Sequence, residues 1–255
     1  MDNDKIITAR IEDKLEQCER GSYITATGFL NMHEQSLAMR IMKGRSDVKS
    51  FFYGGYDDAE RRIILFVPDG YADTLEGVLE MISPLSVLHI KVAPGGRKLT
   101  HRDYLGSVLS LGLDRSVIGD ILVNDKGADM IVNSDIVDFL LSEFHSAGHT
   151  NLQITASDIG ELEVPEQRVK AVRDTLSSPR LDNVVSAALH VSRSEAVRAI
   201  KGGIVFVNHE EVTKIDKRVD EGDTIVLRGK GKAVLTELSG LSKKWRIWAE
   251  FKVFI

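Results

Sequence analysis

The stretch from Pro179 to Lys232 constrains the fold more than any other part of the chain, because its signals occur in an order few structures satisfy. Leu181, Val184, Val185 and Leu189 fall at i, i+3, i+4 and i+8, which draws one apolar stripe on a first helix. Pro179 suits the opening turn of that helix, where a missing N–H is no loss. Ser192 and Glu195 have the S-x-x-E spacing of a capping box that starts a second helix. Ala196 and Ile200 face inward on it, and Gly202-Gly203 stops it. A strand over 204–208, a basic turn around Lys214, a tight turn at Glu221-Gly222-Asp223 and a strand over 224–228 complete the unit.

The outer face of the second helix carries the chemistry. Ser194, Arg198 and Lys201 fall at i, i+4 and i+7 and so line one side, with Arg193 beside them in the first turn. Arg228, Lys230 and Lys232 add three cations around Gly229 and Gly231. Cations on a rigid helix face beside a basic glycine turn make a surface that tracks phosphates. Arg193 has a competing use, an ion pair with Asp182.

A net charge of -5 is unexpected for a nucleic-acid binder until it is divided along the chain. Residues 1–167 hold 16 Lys/Arg against 27 Asp/Glu, whereas residues 168–255 hold 17 against 11. The second part is a basic working end on an acidic body. Cys18 is the one cysteine, which excludes an intramolecular disulfide and a cysteine-cluster metal site. It shares a helical stripe with Ile7, Ile11 and Leu15, as a buried structural thiol would. No apolar run approaches the roughly 20 residues of a membrane span, and MDNDKIITAR lacks the pattern of a signal peptide, so a cytoplasmic protein is expected.

Upstream, the periodicities predict an α+β chain. An N-terminal α/β domain is expected over 1–82, with helices at 4–19, 33–42 and 74–82 and strands at 48–53 and 62–67. Gly54-Gly55 lies between the strands, where positive φ calls for glycine. Residues 83–165 alternate as β-α-β-β-α-β, the split βαβ order of ferredoxin-like and RNA-recognition folds. Their central strands, DILVN and DMIVN, carry none of the aromatics used for base stacking. Residues 166–179 are expected as a linker, and 180–255 as the basic module with a C-terminal strand extension.

The ordered series Arg180-Leu181-Asp182, Ser192-Arg193, Ala196, Ile200, Gly203, Val207-Asn208, Lys214, Gly222-Asp223 and Arg228-Gly229 resembles the S4 RNA-binding domain, of αL type. FFYGGYDDAER at 51–61, LTHRDYLGSVLSLGL at 99–113 and IGDILV at 118–123 extend the likeness, so that nearly the full chain resembles the bacterial YlmH family. The resemblance implies an S4-domain factor of ribosome-associated quality control, without enzymatic activity or cofactor. It would bind ribosomal RNA and tRNA on the large subunit and rescue stalled peptidyl-tRNA complexes, and would be monomeric when free. Carried over by position, the binding surface would comprise Arg180, Ser192, Arg193, Ser194, Arg198, Lys201 and Lys214. The tail WRIWAEFKVFI is more aromatic than the family resemblance accounts for.

Enzymes that carry S4 domains find little support. Arg180-Leu181-Asp182 matches the catalytic tripeptide of pseudouridine synthases, yet Asn183-Val184-Val185 replaces the polar turn that should follow. Gly54-Gly55 and Gly95-Gly96 lack the spacing of a methyltransferase cofactor loop. His101-Arg102-Asp103 mimics a kinase catalytic loop, but Val108 stands where its asparagine belongs. His145 and His149 have no accompanying glutamate and are interrupted by Gly148, so no metal site is expected there. The alternatives are an RNA-modifying enzyme with its catalytic part in residues 1–165, or a general RNA adaptor acting away from ribosomes.

Overall fold

The computed structural model describes residues 2–43, 48–165, 168–242 and 244–254. The chain packs as two compact units, residues 1–165 and 166–255.

In the first unit, α1 (Asp2–Gly21) buries the stripe Ile7, Ile11, Leu15 and Cys18 against Ile64 and Phe66. Cys18 is fully buried, as its spacing predicts, and burial raises its thiol pKa. After the short strand β1 (Thr25–Ala26), Asn31 caps α2 (Met32–Met42) through a reciprocal box with Glu34. Strands β2 (Val48–Tyr53) and β3 (Ile63–Pro68) follow, then α3 (Leu75–Met81). The three strands form an antiparallel sheet in the order β1-β3-β2.

Every residue of β3 is buried, because the strand is covered on both sides. Ile64 and Phe66 face the helices, while Ile63, Leu65 and Val67 join Phe29, Leu85 and Ile131 in a second core. Leu85 and Ile131 belong to the following segment, so the expected division at residue 82 is not a break in packing. Gly54 and Gly55 sit at this junction. A Cβ on Gly54 would stand 2.3 Å from Ala59 Cβ, and Gly55 has φ +92° beside Ile159 and Ile131. The loop is therefore held by close packing. Gly54→Ala should lower the stability of the first unit by about 2 kcal/mol in urea unfolding, the usual scale of overpacking.

The rest of this unit comprises β4 (Leu85–Val92), α4 (His101–Leu109), β5 (Ile118–Val123), β6 (Gly127–Asn133), α5 (Val137–Glu143), β7 (Ser146–Ala147) and β8 (Thr150–Asp158). The sheet order is β5-β6-β4-β8-β7 with antiparallel neighbours. The two β-α-β connections thus interleave, which is the split βαβ topology that the element order predicts. Leu88, Ile90, Ala128, Met130 and Val132 pack with Tyr104, Val108 and Leu140 of the helices. On the opposite sheet face Ile131 is sealed by Phe29, Ile63, Leu65 and Val67. This accounts for the missing aromatics: part of the face that an RNA-recognition fold offers to bases is buried here against the N-terminal sheet.

The second unit contains β9 (Val169–Leu176), α6 (Leu181–Ala188), α7 (Arg193–Lys201), β10 (Val205–Val207), β11 (Glu210–Glu211), β12 (Thr224–Leu227), β13 (Gly231–Leu241) and β14 (Ile247–Phe254). Its six strands run in the order β11-β10-β12-β13-β14-β9. Val184, Val185, Leu189, Ala196 and Ile200 pack α6 and α7 onto one face of that sheet, over Ile225, Ala233, Leu235 and Phe251. The expected linker at 166–179 needs correction. Glu166 and Gln167 lie outside the described residues, but 169–176 is a strand that pairs with β14 from Val169↔Phe254 to Leu176↔Ile247. Its inward residues Val172 and Leu176 belong to the core of this unit.

Candidate nucleic-acid interface

Helix α7 is built as its sequence predicts. Ser192 Oγ accepts from the Glu195 N–H at 3.2 Å, and Glu195 Oε2 accepts from the Ser192 N–H at 2.9 Å. The Ser192 hydroxyl also donates to Glu195 Oε2 at 2.7 Å, so Ser192 serves the cap. These bonds, with Arg198 and Lys230 nearby, hold the Glu195 carboxyl below its ordinary pKa. Lys230 is exposed in the turn between β12 and β13. Ser194, Arg198 and Lys201 are exposed, while Ala196 and Ile200 are buried on the opposite side.

Beside this face lies a buried carboxylate between two guanidinium groups. Asp182, in the first turn of α6, is 1% exposed. Arg193 donates to its Oδ2 from Nε at 2.9 Å and from Nη2 at 2.8 Å, and Arg180 Nε donates to Oδ1 at 3.1 Å. Burial alone would raise the Asp182 pKa, but the bonds from Arg193 and Arg180 prevail and hold it low. The pair Arg193–Asp182 considered from sequence is therefore formed, and Arg180 joins it. Both arginines keep exposed side-chain surface, 61% for Arg193 and 40% for Arg180. The Leu181 N–H reaches Lys217 O at 2.8 Å and the Asp182 N–H reaches Ile215 O at 3.2 Å, which ties the turn carrying exposed Lys214 to the start of α6.

The ten sequence candidates do not share one surface. Arg180, Arg193, Ser194, Arg198, Lys201 and Lys230 gather around α6 and α7, and Lys214 stands on the turn tied to them. Arg228 is exposed in the turn before β13. Lys232 separates from the group: its strand neighbour Ala233 points into the core beneath the helices, so Lys232 points the other way, with its ammonium 4.6 Å from the Phe254 ring centroid.

Two features of the first unit were not visible in the sequence. Asp129 Oδ1 lies 2.6 Å from His89 Nδ1, and His89 Nε2 lies 2.8 Å from Ser157 Oγ. The three residues come from β6, β4 and β8. A cavity of about 410 Å³ is lined by Arg10, Lys14, Arg61, Arg115 and other residues of the N-terminal segment and the 114–116 turn. Arg61 spends its N–H groups on the carbonyls of Ile118, Phe29 and Arg115, and Arg115 spends its own on Ile118 and Gly119. Burial and the neighbouring Arg61 push the Arg115 pKa down to about 10. Both guanidinium groups act as braces between loops. Among the described residues no cluster of His, Cys, Asp or Glu suits a metal ion, and no helix is long and apolar enough to cross a membrane.

A split βαβ domain followed by a helix pair on a sheet, with basic groups along the helix face, defines an S4-type RNA-binding protein. Residues 179–225 match the S4 domain family, and residues 84–161 match the family described as the putative RNA-binding domain in YlmH. The chain is 33% identical over 226 residues to the ribosome-associated protein quality control protein P2 of Bacillus subtilis (strain 168), covering 88% of this chain and 86% of that protein. The chain belongs to the YlmH family. Its fold is also similar to a solved structure, the cell division protein ylmH from Streptococcus pneumoniae, with a TM-score of 0.50, 21% identity, and coverage of 62% of this chain and 93% of that one.

Proposed function

We propose that the protein binds ribosomal RNA and tRNA on the large ribosomal subunit and acts in quality control of stalled peptidyl-tRNA complexes, by positioning and without bond chemistry. The observation that carries this reading is the exposed row Ser194, Arg198 and Lys201 on a capped helix. Phosphates are met there by charges whose Cα positions are fixed by a helix, so binding orders the side chains without having to order the backbone. The relative named for ribosome-associated quality control supports the ribosomal setting. The same reading makes the protein cytoplasmic and monomeric when free.

Co-sedimentation with purified subunits at physiological salt tests it. Selective recovery with the large subunit is expected, and recovery with neither subunit by the folded protein would sink the proposal.

An RNA-modifying enzyme remains the competing reading, and the line Asp129–His89–Ser157 is the observation that favours it. That line has the order of a nucleophile, base and orienting acid. Ser157 sits within a strand, however, and not on the sharp strand-to-helix turn that presents a serine nucleophile in hydrolases of this logic. We read the three residues as a polar brace across three strands. Ser157→Ala should accordingly leave large-subunit binding within about twofold of the parent, since it removes bonds to His89 and Asp158 within the first unit and leaves the side chains of the α7 row unaltered. A loss of ten-fold or more in sedimentation would return attention to this site.

A further inference from the structure

The helices of the second unit cover one face of its six-stranded sheet, and the other face carries an aromatic ring towards each end of β14 with cations over both. Along β14, Ala249 and Phe251 point to the core, so Trp248, Glu250, Lys252 and Phe254 point away from it. Their cross-strand partners Thr175, Arg173, Ala171 and Val169 line the same outer face, with Val169 46% exposed. The Arg173 guanidinium lies 4.8 Å from the Trp248 ring centroid. At the other end, the ammonium groups of Lys232 and Lys252 lie 4.6 and 5.4 Å from the Phe254 centroid. The nearby Glu250 carboxylate is 3.4 Å from Arg173 and is balanced by it.

We propose that this outer face is a second RNA surface, a stacking platform for an unpaired strand, separate from the α7 row. Rings supply sequence-tolerant stacking for bases, the Arg173 guanidinium over Trp248 offers a further planar surface to stack on, and the lysines over Phe254 meet the phosphates. Trp248 and Phe254 are six residues apart on one strand, about 20 Å, so several linked nucleotides are needed to engage both. The two lysines at Phe254 favour an anionic polymer over a basic ribosomal protein at that end, whereas at Trp248 the Arg173 charge is met by Glu250, with Glu237 opposite it on β13, so that end contributes stacking. The proposal extends the RNA-binding reading and gives a role to the aromatic tail and to Lys232, which the α7 row does not use.

The chain has two tryptophans, and Trp245 lies in the turn before β14, so the variant Trp245→Phe leaves Trp248 as the sole reporter. The full-length variant is titrated with an unstructured oligouridylate of about a dozen nucleotides, a length within single-strand site sizes. Quenching of Trp248 emission is expected on saturation. Trp248→Leu, which keeps an apolar side chain without a stacking ring, should weaken oligouridylate binding about ten-fold, and Phe254→Leu similarly. Arg198→Ala with Lys201→Ala should keep the quench while losing large-subunit binding. Oligouridylate bound without quenching, or not bound while subunit binding persists, overturns the platform and leaves the α7 reading intact. Loss of subunit binding by Trp248→Leu without any oligouridylate binding also overturns it and marks a protein-docking face. A quench with no subunit binding by the parent protein supports the platform and removes the ribosomal reading instead.

Discussion

Asp182→Ala is expected to lower the stability of the second unit by about 2 kcal/mol, and its melting temperature by about 10 °C. The carboxylate is buried and accepts three hydrogen bonds from two guanidinium groups. Breaking a fully buried pair costs about 3–5 kcal/mol, but Arg180 and Arg193 are substantially exposed and recover water when the partner leaves, which reduces the figure. Arg193→Ala should cost about 1 kcal/mol, because Arg180 still compensates Asp182. Circular dichroism melts of the parent and the two variants check the ranking. Equal melting temperatures for Asp182→Ala and the parent would show that the bridge contributes nothing.

The same bridge fixes a pH dependence. The Asp182 pKa is lower in the folded protein than in the unfolded chain. A depressed carboxylate contributes stability that is full above the unfolded value of about 3.9 and fades as pH falls through the folded value. Asp182→Asn should therefore flatten the stability profile of the second unit below about pH 5, leaving a smaller difference from the parent in strong acid than at neutrality. The substitution also removes one negative charge from beside the α7 row. Among molecules that remain folded, RNA binding should strengthen while stability falls. These opposite signs separate the structural and binding roles of the two arginines.

How much was legible depends on whether a signal is local. The α6–α7 pair could be read to within a residue or two because caps, helical stripes and glycine stops act within one or two turns: the Ser192–Glu195 box and the Gly203 stop, with φ +69°, are where the sequence puts them. Strand β9 reads as a linker because VKAVRDTL buries just Val172 and Leu176, and its partners lie roughly seventy to eighty-five residues away. The packing across residue 82 is hidden in the sequence for a different reason. The continuous apolar run Ile63–Val67 is the mark of a strand buried on both faces, and that second face had to be covered by something. Lys232 groups with Arg228 and Lys230 in the sequence because glycines stand on either side of them, although its alternation with Ala233 and Leu235 puts it on the far side of the sheet. The line Asp129–His89–Ser157 depends on the register of three strands, which no local pattern specifies.

The variant Arg198→Ala, Lys201→Ala, Lys230→Ala is expected to weaken binding to the large subunit about 100-fold at physiological salt, if each side chain makes one charge-assisted phosphate contact worth about 1 kcal/mol. Arg193 is left in place because its removal would also disturb Asp182, and a loss of binding could then be a loss of folding. The three chosen side chains are exposed, and no ion pair among the described residues uses them, so the fold should survive. Salt dependence gives the sharper readout. With four phosphates met by Arg198, Lys201, Lys214 and Lys230, log affinity should fall with log salt at a slope of about -3 to -3.6. The triple variant should retain a slope near about -1, since each lost contact removes roughly 0.7–0.9. A weakened variant with an unchanged slope would mean that the row shapes the surface without touching phosphate. An unchanged affinity would move the ribosomal contact elsewhere, first to Arg180 and Arg193.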